Sequence, residues 1–159
     1  MILKDWLDKA AQELKNAHNI PKSDAYKEAH YVANVILGQI VTGDTVLSDI
    51  AQYCLNAALS KRAAHMPLAK IAGKKEFYNK MFITNKHTLD PRCETEMIID
   101  LVKIKARTIL DLGTGTGCLI ICLVEKHLKS HGLAIDISPH ALAVAKENAA
   151  IYGLLKRIE

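Results

Sequence analysis

Three glycines at alternate positions mark the segment of this chain that is best suited to bind a ligand. Gly113, Gly115 and Gly117 follow an apolar, β-branched stretch at 108–112, which contains the acid Asp111. A second apolar stretch follows the glycines, so the order predicts a strand, a turn and a helix. A turn at the carboxyl end of a strand is the usual ligand site of an open α/β sheet. Glycine suits it because tight turns often need positive φ and because a ligand on the turn leaves no room for a Cβ atom.

The spacing of the glycines excludes two common nucleotide-binding motifs. The dinucleotide fingerprint G-x-G-x-x-G needs a glycine at position 118, where the chain has Cys118. The phosphate loop needs Lys-Ser or Lys-Thr after the turn, and neither dipeptide follows it. A glycine-rich connection that binds no ligand stays open as the alternative.

A second acid lies at the distance expected of a ribose-binding carboxylate. Residues 133–137 form the next predicted parallel strand, and Asp136 lies 19 residues beyond Gly117. In βαβ folds an acid about 20 residues beyond the glycines binds the ribose, and a carboxylate can accept hydrogen bonds from both hydroxyls. Ser138 and Pro139 are typical of a helix N-cap and first helical residue. The alternative is that Asp136 only favours the helix dipole.

The cysteines and histidines do not indicate a disulfide or a metal site. The absence of a C-x-x-C pair favours buried thiols over a disulfide or metal site at the four cysteines Cys54, Cys93, Cys118 and Cys122. His127 and His131 have no further potential ligands clustered nearby, so we predict no bound metal.

The net charge and the hydropathy pattern restrict the possible partners only weakly. The net charge of +4 permits an anionic partner without requiring one. Because no apolar run reaches the ~18 residues of a membrane span and no signal region is visible, we expect a soluble, cytoplasmic protein without a membrane partner.

The elements that must position these residues change character along the chain. Apolar residues at helical spacing predict three helices in the first part of the chain, separated near Pro21 and Gly43. The apolar stripe of the second helix runs to Ile40. The third helix is expected to place five residues on its inner face: Ile50, Cys54, Leu55, Ala58 and Leu59. These stripes are typical of the core of a small helical bundle.

The central segment predicts a hairpin and a further helix. Two short strand-like stretches flank Asn79-Lys80, which is typical of a β-hairpin. Pro91 precedes an apolar helix at 97–102, and Glu94 and Glu96 lie where acids favour the helix dipole. A last helix is expected from Pro139 to Tyr152. We therefore expect three regions: a helical domain at 1–73, a hairpin linker at 74–90 and an α/β domain at 91–159.

The order of the motifs resembles a known enzyme family. Residues 111–117 resemble motif I of the class I S-adenosylmethionine (SAM) methyltransferases. The segments Pro-Leu-Ala-Lys-Ile-Ala-Gly at 67–73 and Pro-Arg-Cys-Glu-Thr-Glu at 91–96 are more specific. With these segments, the chain is similar over essentially its whole length to the HemK/PrmC family, the peptide-chain release factor glutamine methyltransferases.

The resemblance implies a fold, a cofactor and a set of site residues. The fold is α/β, with an N-terminal helical bundle, a β-hairpin linker and the first part of a class I, Rossmann-like methyltransferase domain, here truncated. The implied cofactor is SAM. Its expected contacts come from the two strand ends: Asp111, Gly113, Thr114, Gly115, Thr116, Gly117, Asp136 and Ile137. Arg92, Glu94 and Thr95 match a loop that lies beside the active site in this family.

The resemblance also implies a protein substrate. The family methylates the side-chain amide nitrogen of the glutamine in the Gly-Gly-Gln loop of release factors, so a release factor is the expected partner, recognised by the helical domain. Two other functions stay open: a non-catalytic binding fragment and a nucleic-acid amino-methyltransferase. A nucleic-acid partner is disfavoured because no basic patch with aromatic residues accompanies the mild positive charge.

The chain departs from the family pattern in three places. Asp90 stands where the family usually has an aliphatic residue, and Cys93 where it usually has proline. The family's Asn-Pro-Pro-Tyr segment, which orients the amide nitrogen, is expected beyond Glu159. No catalytic residue is therefore named, and the 159-residue chain alone is expected to be inactive. In the family's strand order the strand at 108–112 then becomes an uncovered sheet edge, through which the chain is expected to self-associate or else stay mobile.

Overall fold

The chain folds into two compact units. The computed structural model describes residues 1–103 and 107–159. The first unit is Met1–Ala72 and the second is Gly73–Glu159. Each unit has its own cluster of buried apolar side chains, as is typical of a folding domain. Within the described residues, none of the helices combines the length and the apolar character that crossing a bilayer requires.

The first unit is helical. Its elements are α1 (Leu3–His18), α2 (Lys22–Leu37), α3 (Asp49–Ala63) and the short α4 (Leu68–Ala72). Trp6 lies in the core with only 2% of its surface exposed, and its Nε1 donates to Asn56 Oδ1 at 2.8 Å. This bond satisfies an indole N–H that burial would otherwise leave unpaired. The predicted N-terminal helices are confirmed.

Two details of the predicted helices are wrong. α2 ends at Leu37 because Gly38 has the left-handed conformation, with φ of 69°, which is a common end of a helix. Ile40 therefore lies outside the helix and is 90% exposed. In α3, Ile50 and Cys54 are exposed. The buried face of this helix has the i, i+3, i+4 spacing and leaves Ile50 on the opposite side; it consists of Leu55, Ala58 and Leu59.

A β-hairpin opens the second unit. β1 (Lys74–Phe77) and β2 (Lys80–Ile83) pair antiparallel. The turn is Tyr78-Asn79, one residue earlier than predicted, and these residues have φ of 49° and 58°. Two successive positive φ values are typical of a type I′ turn, whose twist matches that of the paired strands. Phe77 and Phe82 are fully buried, so the hairpin contributes to the core of this unit.

Helices and parallel strands alternate in the rest of the second unit. The elements are α5 (Cys93–Leu101), β3 (Thr108–Leu112), α6 (Cys118–Lys126), β4 (His131–Ile135) and α7 (Pro139–Ile151). β3 and β4 are parallel, with Leu112 opposite Ile135, and α6 forms the connection between them. On the opposite edge of β4, Ile158 pairs in parallel with Gly132. The α/β architecture predicted for this region is confirmed for the part of the fold that these residues form.

The two faces of the β3–β4 sheet are packed differently. α6 covers one face, and Gly132 permits its close approach, because a Cβ there would lie 2.7 Å from Ile120 Cγ1. The other face presents aliphatic side chains that are between 40% and 71% exposed: Leu110, Leu112, Leu133 and Ile135. Among the described residues no strand pairs with the outer edge of β3. Self-association through this edge stays a prediction.

An arginine side chain caps the C-terminal end of α6. Arg157 Nη2 donates to the carbonyls of Val124, His127 and Ser130 at 2.6, 2.8 and 2.8 Å. Carbonyls at a helix C-terminus lack intrahelical partners, and a positive charge there favours the helix dipole. The end of α6, and hence the start of β4, is fixed by this side chain.

Candidate functional site

The glycine turn joins the carboxyl end of β3 to the start of α6. Gly113 and Gly115 have φ of 77° and 56°, values that residues with a side chain rarely adopt. A Cβ on Gly113 would meet no atom within 4 Å, and one on Gly115 would reach only the Gly113 carbonyl oxygen at 4.0 Å. The space beside these two glycines is therefore open to a ligand.

Gly117 instead lies against α7. A Cβ at this position would lie 3.1 Å from Ala145 Cβ and 3.3 Å from Ile121 Cδ1. The missing side chain therefore lets α6 and α7 pack closely. The spacing motif alone does not separate this packing role from a ligand contact.

Hydrogen bonds hold the turn against both strands. The amides of Gly113 and Thr114 donate to the carbonyl oxygen of Ile135 at 2.7 and 3.0 Å. The hydroxyl of Thr114 donates to Asp111 Oδ2 at 2.8 Å. Thr114 is buried and Asp111 is half-buried, so this pair fixes the turn from the β3 side.

Asp136 binds the same turn from the end of the next strand. β4 covers His131–Ile135 and not the predicted 133–137, so Asp136 follows the strand directly. Its Oδ2 accepts from the Gly115 amide at 2.9 Å, and its Oδ1 accepts from the Ser138 amide at 2.9 Å. An ionised carboxylate has about four acceptor positions. Asp136 therefore keeps acceptor capacity for the hydroxyl groups of a ligand.

The start of α7 agrees with its sequence signals. Ser138 is the N-cap, with its Oγ accepting from the Ala141 amide at 3.2 Å, and Pro139 is the first helical residue. Both predictions are confirmed. Ile137, between Asp136 and the cap, is fully exposed. It offers an apolar side chain to solvent beside the carboxylate.

A cleft of about 170 Å³ lies along the glycine turn. One wall is the turn and the start of α6: Asp111, Gly113, Thr114, Gly115, Thr116, Cys118 and Leu119. The other wall is the segment that leads into α5: Leu89, Asp90, Pro91, Arg92 and Thr95. The cleft thus brings the glycine motif together with Arg92 and Thr95. Of the predicted site residues that the structure describes, Glu94, Gly117, Asp136 and Ile137 are outside its lining.

The N-terminus of α5 forms one end of this cleft. The carbonyl of Arg92, the N-cap, accepts from the Thr95 amide at 3.0 Å. Glu94 is exposed, and a hydrogen bond from its own amide, then one from the Cys93 thiol, lowers the pKa of its carboxyl. Glu96 Oε1 accepts from the Tyr78 amide at 3.1 Å, so this acid ties α5 to the hairpin. The exposed guanidinium of Arg92 is the cation that this segment brings to the cleft.

Comparison with known proteins decides the family. Residues 103–156 match the family model described as a methyltransferase domain. The release factor glutamine methyltransferase of Cereibacter sphaeroides is 47% identical over 104 residues, which cover 65% of this chain and 37% of that protein. The enzyme of the same name from Caulobacter vibrioides is 37% identical over 163 residues, which cover 98% of this chain and 56% of that protein. The chain belongs to the HemK/PrmC family.

The relatives are longer than this HemK/PrmC chain. A bifunctional methyltransferase of Rickettsia prowazekii is 33% identical over 182 residues, which cover 99% of this chain and 35% of that protein. The chain therefore spans between about a third and just over half of the length of these relatives.

One departure from the HemK/PrmC pattern has a local role in the structure. The hydroxyl of Thr84 donates to Asp90 Oδ1 at 2.8 Å and lies 3.0 Å from the hydroxyl of Thr88. Thr84 and Thr88 are buried. Asp90 thus closes the loop between β2 and α5 through a side chain that an aliphatic residue could not replace.

Sequence reasoning missed Asn148. It is completely buried on α7 among apolar residues, namely Ala141, Val144, Ala145 and Ala149. Its Oδ1 accepts from the Ile83 amide at 2.8 Å, and its Nδ2 donates to the carbonyls of Ile83 and Thr116 at 3.0 and 2.8 Å. A polar residue within an apolar helical stripe is the signal that could have found it, since a buried amide must be paired.

A larger cavity of about 390 Å³ lies among α6, α7 and β4. Its lining is mostly aliphatic, and the charged residues in it are Lys146 and Glu159. Ligand sites usually combine an apolar surface with convergent polar groups that fix orientation. Those groups converge at the smaller glycine cleft, which is therefore the candidate site.

The cysteines are free thiols. Cys118 and Cys122 are buried, as predicted, and burial raises the pKa of both thiols, that of Cys122 to about 12. Cys54 and Cys93 are exposed, so the prediction of buried thiols is wrong for these two. In the part of the chain that the structure describes, no group of three or more potential metal ligands is present.

Proposed function

We propose that this chain carries the cofactor-binding part of an enzyme that transfers a methyl group from SAM to a protein glutamine. The acceptor is the side-chain amide nitrogen in the Gly-Gly-Gln loop of a peptide-chain release factor. The methyltransferase family model supports the cofactor. The names of the relatives support the substrate.

The observation that carries the proposal is the hydrogen bond between Asp136 and the Gly115 amide. It places a carboxylate with spare acceptor positions beside an open glycine turn, where two adjacent parallel strands end. A ribose diol presents two adjacent hydroxyl donors, and hydrogen bonds to a charged acceptor are the strong ones. The arrangement therefore suits a nucleoside cofactor.

The residues of the site divide the contacts to SAM among them. When bound, SAM supplies an electrophilic methyl group on a positively charged sulfur. Gly113 and Gly115 leave room for the cofactor beside the turn, Asp136 holds the ribose, and Ile137 offers an apolar contact at the same strand end. The cleft is smaller than the roughly 300–1,000 Å³ of whole small-molecule sites, so the cofactor extends beyond it.

The negative charges at the cleft complement the positively charged sulfur of SAM. Asp90 and Asp111 line it from opposite walls. Carboxylates close to a positively charged sulfur stabilise it, and more so where water is partly excluded. Arg92 and Thr95 line the wall that faces the glycine turn, and we assign them to contacts with the acceptor group.

Calorimetry with SAM and the 159-residue chain tests the cofactor assignment. We expect Asp136→Ala to bind SAM ~10–100-fold more weakly, because two hydrogen bonds to a charged acceptor are lost. Glu147→Ala removes an exposed carboxylate from α7 and serves as the matched control. Unchanged SAM affinity in a folded Asp136→Ala protein would contradict the ribose assignment.

Transfer of a labelled methyl group tests the substrate. The 159 residues contain no Asn-Pro-Pro-Tyr segment, so we expect the chain alone to bind SAM and a release factor without methylating it. A release factor whose loop glutamine is replaced by alanine is the control. Turnover on the intact factor by the chain alone would show that the catalytic residues lie within these 159 residues.

A further inference from the structure

We propose that Asn148 is a positioning residue that sets the separation of the two walls of the cofactor cleft. The inference rests on the proposed function, because it concerns the cleft assigned to SAM. It adds a residue that touches neither cofactor nor substrate and acts through the backbone on both sides of the cleft.

The side-chain amide of Asn148 makes three hydrogen bonds, which use both of its N–H donors. Both N–H donors go to backbone carbonyls, one on Thr116 and one on Ile83, and the oxygen accepts from the Ile83 amide. The residue is 0% exposed. Water therefore cannot replace a lost partner, and each missing bond leaves a buried polar group unpaired.

The first contact reaches the glycine wall. Thr116 lies in the turn between Gly115 and Gly117, it is 2% exposed, and it lines the cleft. Its carbonyl is 2.8 Å from Asn148 Nδ2. The amide therefore fixes the position of the turn relative to α7.

The second contact reaches the opposite wall. Ile83 ends β2, and the next residue, Thr84, donates its hydroxyl to Asp90. Asp90 is followed by Pro91 and Arg92, and all three line the cleft. One buried amide thus links the turn on one side to the loop that carries Arg92 on the other.

A second hydrogen bond attaches the hairpin to α7 without contacting the cleft, so it can serve as a control for the role proposed for Asn148. The hydroxyl of Tyr152 donates to the Met81 carbonyl at 2.7 Å. It joins the C-terminal end of α7 to the same strand as Asn148 does, without touching the glycine turn. Tyr152→Phe removes this bond and keeps the ring, so it is the matched control.

Amide hydrogen exchange by NMR on the ligand-free, full 159-residue chain tests the inference independently of SAM. Asn148→Ala should selectively accelerate exchange at the hydrogen-bonded amides of Gly115 and Gly117 in the turn and of Thr95 on the opposite wall. Amides in the middle of α6 should exchange as in the wild type. Tyr152→Phe should leave the turn amides unchanged. Exchange at wild-type rates in the turn, or a uniform acceleration over the whole second unit, would overturn the inference.

Asn148→Asp adds a pH-dependent readout. The introduced carboxylate faces two carbonyl oxygens, so at neutral pH it repels them and the turn should exchange faster. Burial raises the pKa of such a carboxyl, and its protonated form can again donate one hydrogen bond. The ratio of variant to wild-type exchange should therefore fall on acidification, whereas the ratio for Asn148→Ala should stay constant. A constant ratio for Asn148→Asp would count against donation from position 148.

Calorimetry distinguishes failure of this inference from failure of the proposed function. If the wild-type chain binds SAM, folded Asn148→Ala should bind about tenfold more weakly or worse, and Tyr152→Phe within about twofold of wild type. Wild-type SAM affinity in folded Asn148→Ala would overturn the inference. If the wild-type chain does not bind SAM, the proposed function fails, and hydrogen exchange alone decides the role of Asn148.

Discussion

Gly115 combines a backbone requirement with an open space for the cofactor. Its φ of 56° is an outlier for a β-branched residue, and a side chain there would enter the space beside the turn. We expect Gly115→Val to abolish SAM binding while the first unit stays folded. Calorimetry measures the affinity, and Trp6 fluorescence reports on the first unit, since Trp6 is the single tryptophan of the chain.

Gly117→Ala is the control for this substitution. Its added Cβ would lie 3.1 Å from Ala145, so it should lower the melting temperature by disturbing the packing of α6 on α7. A Gly115→Val protein that binds SAM like the wild type would show that the glycine turn is only a connection.

The four thiols should differ in reactivity. Only the thiolate is a strong nucleophile, and burial raises the pKa of Cys118 and Cys122, the latter to about 12. We expect Cys54 and Cys93, both exposed, to be alkylated by iodoacetamide long before the other two in the folded chain. Mass spectrometry of peptides from timed samples measures the order. Rapid labelling of Cys122 under native conditions would contradict its burial.

At the residue scale, the sequence predicts those roles that depend on local spacing. The glycine turn, Asp136 and the Ser138 cap are all visible within a short stretch of chain. Asn148 is not, because its partners Ile83 and Thr116 lie 65 and 32 residues away. Only the tertiary fold brings an α7 side chain to both walls of the cleft.

The loop between β2 and α5 is held to α7 by two stacked histidines. The rings of His87 and His140 have their centroids 4.4 Å apart. His87 is exposed, and partial desolvation of its ring, then the positive charge of His140 and that of Lys86, lowers its pKa below 6.5. A lowered folded-state pKa means that the unfolded chain binds more protons, so stability falls as the pH drops below about 6.5 and rises as it increases.

NMR titration of the imidazole resonances tests this contact. We expect His140→Gln to raise the pKa of His87, because it removes a positive neighbour, and to weaken the loss of stability on acidification. Lys86→Gln should raise it less, since Lys86 is the smaller of the two charge effects. An unchanged His87 pKa in His140→Gln would show that the stacked pair does not persist in solution.

The sequence predicted which segments form helices and which form strands, but it misplaced the end of β4 and the turn of the hairpin. The predicted strand at 133–137 included Asp136 and Ile137, because the sequence carries no clear signal for the end of the strand before Ser138. In the structure the Asp136 carboxylate accepts from the Ser138 amide and the chain has already left the sheet. The hairpin turn was misplaced because tyrosine carries no sequence signal for the positive φ that Tyr78 adopts.

The whole molecule consists of two units with separate cores, Met1–Ala72 and Gly73–Glu159. The sequence predicted a change from helices to α/β structure near this point, because the apolar periodicity changes there. It did not predict that the hairpin shares the core of the second unit. That depends on Phe77 and Phe82 packing against residues of α5, β3 and α6, which are distant in the sequence.

Separate cores lead to a prediction about unfolding. A Cβ added at Gly132 would lie 2.7 Å from Ile120 and 3.0 Å from Val124, so Gly132→Ala should destabilise the second unit by about 1–3 kcal/mol through overpacking. Trp6 lies in the core of the first unit. We expect the denaturant midpoint reported by Trp6 fluorescence to stay unchanged, while circular dichroism shows an earlier transition.

The reciprocal variant completes the test. Gly38 has φ of 69° and no atom within 4 Å of its missing Cβ, so Gly38→Ala introduces backbone strain without a steric overlap. A side chain in the left-handed conformation costs roughly 1–2 kcal/mol, so this variant should lower the Trp6 midpoint and leave the second unit unaffected. If both variants shift the Trp6 signal and the circular dichroism together, the two cores unfold as one cooperative unit, and the α/β region cannot be treated as a domain that is stable by itself.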